Sequence, residues 1–166
     1  KKEQYLSEME EAIHTQEAFT NTGNSVLDVV LTTKSTYCMQ KHITFTCMAD
    51  GKLISFMHVK DICSIFGNAL DNAIECVSQF DDPEKRLLTL SLYQKNQLLK
   101  IQCENYTDTI LHLKSDQLPS TTKQNAGYHG YGRKSNQHAA QKYGGSMTLH
   151  AKDHWFTLQV LIPLDT

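Results

Sequence analysis

The sequence lacks an excess of charge of either sign, with 16 lysines and arginines against 18 aspartates and glutamates. No overall positive field is available to hold nucleic acid or an anionic membrane surface, so any anion site has to be local. It also lacks a hydrophobic run approaching the roughly 20 residues that cross a bilayer, and its start, KKEQYLSEMEEA, is polar where a secretory signal is apolar. No CxxC pair occurs. Cys38, Cys47, Cys63, Cys76 and Cys103 are odd in number and widely spaced, which argues against a disulfide framework or a metal site and for reduced core thiols in a cytosolic protein. No internal repeat is present. What remains is an ordinary globular composition, 40% hydrophobic and 20% charged over 166 residues, enough for one domain burying roughly two-thirds of its unfolded surface. The chain begins at Lys1 and not at a methionine, which suggests an excised piece with an upstream part.

Periodicity orders the chain. Tyr5, Met9, Ala12, Ile13 and Phe19 fall near helical spacing over residues 3–20, TNTGN interrupts at Gly23, and Val26, Leu27, Val30 and Leu31 resume a helix to about Lys41. Ile43, Phe45 and Cys47 alternate like a strand, and Leu53 to Phe56 is a second candidate strand after the turn at Asp50-Gly51. The clearest helix runs from about Lys60 to Phe80, where Ile62, Ile65, Phe66, Ala69, Leu70, Ala73, Ile74 and Val77 form one apolar stripe. Leu88, Leu90 and Leu92, then Leu99, Ile101 and Cys103, predict a hairpin with one buried face. Residues 107–127 are rich in Ser, Thr, Asp, Gln and Asn, the composition of a long mobile loop, and such loops in small domains carry function. Gly130 and Gly132 open a helix through Tyr143, Gly144-Gly145 stops it, and strands at about 146–151 and 155–162 close the chain.

Two constellations stand out. In GNALDNAIE, Asn68 and Asn72 lie one helical turn apart with Asp71 and Glu75 beside them, and the four residues are expected to line one strip. A solvated helix face explains this, but two asparagines at that spacing in a mostly apolar helix also suggest amide ligands, and an amide oxygen suits Mg2+. In HGYGRKSNQHAAQKYGG, Gly130 and Gly132 let backbone approach a ligand at a helix N-terminus, whose free amide groups face an anion. Lys123, Arg133 and Lys134 add positive charge there, although cations at a helix N-terminus are otherwise unfavourable.

Together with the polar strand end ENYTDT and the long polar loop, these motifs resemble the GHKL (Bergerat) ATP-binding domain of bacterial sensor histidine kinases. The likeness is closest to the peptide-pheromone receptor kinases of Gram-positive bacteria. NALDNAIE resembles their N box, HGYG with the helix to YGG resembles their G2 box, and TGNSVLDVVLTTK with HITF is similar to the segment before the N box. The likeness spans roughly residues 22–163, with residues 1–20 read as the end of an upstream dimerisation helix and 21–166 as the catalytic domain. It implies an α+β fold, a two-layer α/β sandwich whose mixed sheet carries three helices on one face. It implies ATP and Mg2+, with Asn72 as Mg2+ ligand, Asn68 facing the phosphates, Glu75 near them, and Lys123, His129, Gly130, Gly132 and Arg133 around the nucleotide. Where hydrolysing relatives often have a glutamate this chain has Asn68, and an amide accepts no proton, which favours phosphoryl transfer over hydrolysis.

The G1 box departs from the family. Asn105 stands at the aspartate position and its amide oxygen can still accept from the adenine amino group, but Thr107 and Thr109 replace both glycines. Arg133 stands where the family has leucine, and either reaches phosphate or points to solvent. His14 is followed by Thr15 and is a poor phosphoacceptor, so the acceptor is expected upstream. His129 either touches phosphate or serves the loop, and His150 and His154 lack a metal-binding pattern. The resemblance thus implies a homodimeric membrane sensor whose cytoplasmic domain passes phosphate to a histidine and then to a response regulator in peptide signalling. Two alternatives remain: an interaction module that has lost the nucleotide, and a serine kinase of the anti-sigma type.

Overall fold

Period-two alternation dictates which side of each strand is buried, and the register turns that into rows across a sheet. The computed structural model describes residues 1–108 and 130–164, apart from the side chains of Thr15 and residues 130–133. Described elements, in chain order, are α1 (Lys2–Thr20), α2 (Ser25–Gln40), β1 (Thr44–Ala49), α3 (Val59–Val77), β2 (Leu87–Lys95), β3 (Leu98–Tyr106), α4 (Gly130–Lys142), β4 (Ser146–Lys152) and β5 (Trp155–Pro163). The five strands form one sheet in the order β1-β2-β3-β5-β4. Only β1 and β2 pair in parallel, so the sheet is mixed. One inward row reads Cys47, Leu90, Cys103, Leu158 and Leu149, and the next reads Phe45, Leu88, Asn105, Phe156 and Ala151.

Helices cover the inward face, α2 over β1, α3 over β2 and β3, and α4 over β4 and β5. This is the expected two-layer α+β sandwich. A fourth helix, α1, joins it through its C-terminal end, where Phe19 is buried against Phe45 with ring centroids 4.9 Å apart. The apolar residues nearer its start, Tyr5, Leu6, Met9 and Ile13, are exposed.

The TGN segment starts α2 by capping. Asn24 accepts from the backbone N–H groups of Val26 and Leu27 at 3.1 Å, and Asp28 reaches back to the Thr22 hydroxyl at 2.6 Å. The strand expected at Leu53 to Phe56 does not form; Gly51–Ile54 is a 3-10 turn instead. Asp50 caps that turn on the Lys52 N–H, and the Gly51 N–H donates to the Thr22 carbonyl at 2.8 Å, so its donor is already paired away from any strand. A Cβ at Gly51 would lie 2.4 Å from the Thr22 hydroxyl oxygen, which is why no side chain fits there.

Cysteine placement corrects one expectation. Cys38, Cys47 and Cys103 are buried, and burial pushes their thiols up to about 11, 12 and 12, as inert core residues require. Cys63 is exposed and Cys76 is half-buried, both on α3 and outside its apolar stripe. Thr107 N–H donates to the His154 carbonyl at 2.8 Å; the remainder of the expected loop, from residue 109, falls outside the described residues.

Helices α3 and α4 are pinned where α3 begins and α4 ends. Asp61, buried in the first turn of α3, accepts from the Lys142 ammonium at 2.8 Å and from the Tyr143 hydroxyl, whose oxygen accepts the His58 N–H at 2.9 Å. The Lys142 ammonium, then the Tyr143 hydroxyl, hold the Asp61 carboxyl below its usual range. A depressed carboxyl contributes stability that is present above its unfolded value of about 3.9 and lost as pH falls through its folded value. Asp61→Asn should therefore lower unfolding stability at pH 7 by about 1–3 kcal/mol. Thermal melts of both proteins between pH 7 and 2.5 should show the gap closing only below about pH 4.

Candidate active site

Four side chains at i, i+4 spacing, Ser64, Asn68, Asn72 and Cys76, form one line along α3 beside its apolar stripe. Each end of the line meets another element. At the Ser64 end lies α4: the Ser64 and Ser135 hydroxyls are 2.9 Å apart, and Asn68 Nδ2 donates to Asn136 Oδ1 at 3.2 Å. At the other end lies β3, where burial raises the Cys76 thiol and the Asn105 amide beside it opposes that rise.

Asn72 occupies the middle. It is only 9% exposed, and its Nδ2 is buried with no hydrogen-bond partner. A buried amide left unpaired costs about 1–3 kcal/mol, so such a group either stores strain or awaits a ligand. Asn105, 2% exposed, is the polar member of the inward row between Leu88 and Phe156. Its Nδ2 donates to the Tyr106 carbonyl at 3.1 Å, which leaves Oδ1 as its available acceptor. Around that strand end, the Tyr106 ring meets Phe80 at 5.7 Å, stacks on His154 at 5.8 Å and meets the edge of Trp155 at 6.0 Å.

The expected four-residue strip on α3 is divided. Asp71 is exposed and ion-paired with Lys34 of α2, and with Glu75 it lines a crevice of about 460 Å³ between α2 and α3 whose walls include Tyr37 and Ile74. Asn72 turns into the domain instead. The reason is angular: successive residues on a helix are about 100° apart, so Asp71 and Asn72 face different neighbours.

The contacts between α3 and α4 run antiparallel, Asp61 against Lys142 and Tyr143, Ser64 against Ser135, and Asn68 against Asn136. The first turn of α4, with Gly130 and Gly132, therefore lies toward the Asn68 end of α3 and not toward Asp61. Arg133 continues the same helix in its backbone. Lys123 and His129 lie outside the described residues. His14 is exposed on α1, 3.8 Å from Glu17.

Sequence reading missed Ser64, Ser135 and Asn136, and the Asp61 pin. A signal for Asn136 was present: residues 136, 139, 140 and 143 share helical spacing, and a polar residue opens an otherwise inward stripe. No helix among the described residues is long and apolar enough to cross a membrane.

Solved structures similar to this chain include the catalytic domain of histidine kinase ThkA, with a TM-score of 0.62 at 14% identity, over 83% of this chain and 90% of that one. The mycobacterial sensor histidine kinase MprB matches with a TM-score of 0.54 at 14% identity, over 82% of this chain and 92% of the other. Acinetobacter baumannii histidine kinase AdeS matches with a TM-score of 0.53 at 13% identity, over 98% and 80%. At these identities the likeness is one of fold. A search of curated proteins found no match. The GHKL domain family matches residues 57–163, more than half of the chain, from the start of α3 to the end of the sheet, and the chain belongs to that family.

Proposed function

We propose that this chain is the ATP-binding catalytic domain of a two-component sensor histidine kinase, transferring the γ-phosphoryl group of ATP to a histidine of an upstream dimerisation region. The observation that carries this reading is the buried, unpartnered amide of Asn72 at the centre of the polar line on α3. Asn72 is fit to hold Mg2+ through its Oδ1, a hard oxygen ligand, while its unpaired Nδ2 is a donor for phosphate oxygen. The cation, when bound, neutralises charge on the phosphates.

The remaining work falls to the protein's own groups. Asn105 offers Oδ1 to the donor edge of a base, which suits the adenine amino group and disfavours the guanine carbonyl. The N-terminal amide groups of α4, directed toward the Asn68 end of α3, suit the phosphate end. Lys123, His129 and Arg133 are assigned to the same end by resemblance, and Glu75 to the rim of the site. The reaction is then one of positioning and charge neutralisation, with Asn68 and Asn72 in the catalytic roles and no general base supplied by Asn68.

Calorimetric titration with a non-hydrolysable ATP analogue tests this, with and without Mg2+ and against a GTP analogue. The expected result is Mg2+-dependent binding that prefers adenine. Asn72→Ala should weaken it at least tenfold, about 1.4 kcal/mol or more, while the thermal melt stays cooperative. Undiminished binding by that variant would remove the role assigned to Asn72.

The likeness to peptide-receptor kinases extends the proposal to a homodimeric, membrane-anchored sensor in peptide quorum sensing, with this domain on the cytoplasmic side and a response regulator as phosphate acceptor. Support comes from α1, where Leu6, Met9 and Ile13 repeat at three-and-four spacing and are exposed, the pattern of a helix seam awaiting a partner helix. Replacing Leu6 and Ile13 together by glutamate should leave the fold intact. Sedimentation over a concentration series should then show the self-association of the parent chain reduced at least tenfold.

A further inference from the structure

Asn136 is 0% exposed and opens the stripe Asn136, Ala139 and Ala140 by which α4 enters the core. Burying an amide among apolar side chains is costly unless all its groups are engaged. Here they are engaged in one direction only. Asn136 Nδ2 donates to the Ile65 carbonyl at 3.2 Å. A main-chain carbonyl can only accept, so this bond fixes the flip of the Asn136 amide and turns its Oδ1 to Asn68. That oxygen also can only accept, so Asn68 must answer with Nδ2, and does so at 3.2 Å. Ser64 Oγ lies 3.4 Å from the same Nδ2 and is itself held by Ser135 at 2.9 Å. The chain of bonds thus starts at a backbone carbonyl of α3, crosses to α4 and returns to α3. It consumes the donor end of Asn68 inside the protein.

We propose that Asn136 is a positioning residue that clamps the Asn68 amide with its oxygen available to the nucleotide cleft, making Asn68 an acceptor for the cation or its bound water and not a donor to phosphate. This rests on the nucleotide-binding function proposed above. It also specifies the chemistry of Asn68 beyond its facing the phosphates. Ser64 and Ser135 back the clamp, but either hydroxyl can donate or accept, so only Asn136 dictates the flip.

Two measurements test it. Asn136→Leu keeps the number and branching of side-chain heavy atoms, at some cost in added bulk, and removes the amide without leaving a buried polar atom, so the domain should fold, because half-buried Asn68 can bond water instead. Side-chain amide resonances of Asn68 should shift toward those of a solvated amide in this variant, a readout that needs no nucleotide. In calorimetry with the non-hydrolysable ATP analogue, the affinity gained on adding Mg2+ should fall about tenfold, with Mg2+-free binding changed less than about threefold. Adding Asn68→Asp to Asn136→Leu presents an oxygen whichever way the side chain turns, and should restore most of that gain. Unmoved Asn68 resonances, an unchanged Mg2+ gain in Asn136→Leu, or a double variant no better than Asn136→Leu would each overturn the clamp. If the parent chain binds no analogue at all, the nucleotide function fails with the acceptor role. Amide resonances alone would then decide whether Asn136 orients Asn68.

Discussion

Helix α3 has to be core and site at once, and the rest of the molecule follows from how it divides those tasks. Its apolar residues, among them Ile62, Phe66, Leu70 and Val77, are almost wholly buried over β2 and β3. That burial, of the order of 1.5–3 kcal/mol for each large side chain, fixes the rotation of the helix about its own axis. Once the rotation is fixed, Ser64, Asn68, Asn72 and Cys76 have nowhere to lie but along the edge of the stripe. They span about 18 Å of helix, from α4 to β3. A helix held less firmly would let the two asparagines slide into solvent, where an amide is worth nothing as an oriented ligand.

The pairing of Asn68 and Asn72 is legible because a four-residue spacing has one meaning on a helix, and the two need no tertiary information to be placed together. Their neighbours do. Asp71 and Glu75 are grouped with them by nearness in sequence, but which of these four residues faces α2 and which faces the sheet is decided by packing, and Lys34 on α2 draws Asp71 the other way. The strand expected at Leu53 to Phe56 failed for a similar reason. A short apolar run bounded by Asp-Gly fits a strand or a turn equally well, and a cap on the Lys52 N–H with a backbone bond from Gly51 to Thr22 selects the turn. Neither partner is deducible from local pattern.

Asn105 shows the opposite case, a polar residue whose inward direction was implied by period two from Leu99, Ile101 and Cys103. What alternation could not supply is how an amide survives in a row between Leu88 and Phe156. It survives by giving its donor to the Tyr106 carbonyl, and in the function proposed above the oxygen is the end that would meet a base. Satisfaction of the buried group and the proposed selectivity for a base would then rest on one bond.

Asn136 obeys the same rule from α4. At Asn105 a carbonyl of the next residue orients the amide directly; at Asn68 a carbonyl of α3 orients it through a second amide on α4. In both cases a group that can only accept determines which end of an ambidextrous side chain is left over, and the leftover end is an oxygen. In the proposed function the two oxygens would take different partners, a base amino group at the sheet end and a hard cation at the α4 end. Asn72 between them is the exception, since no protein carbonyl claims its Nδ2, and it alone keeps a donor to offer. In the function proposed above, Asn105, Asn72 and Asn68 would present acceptor, donor with acceptor, and acceptor in that order, to an amino group, a phosphate with its cation, and the cation. Because the Asn105 and Asn68 amides are oriented by carbonyls of the protein and not by a ligand, the proposed function would leave little reorganisation to be done at those two positions.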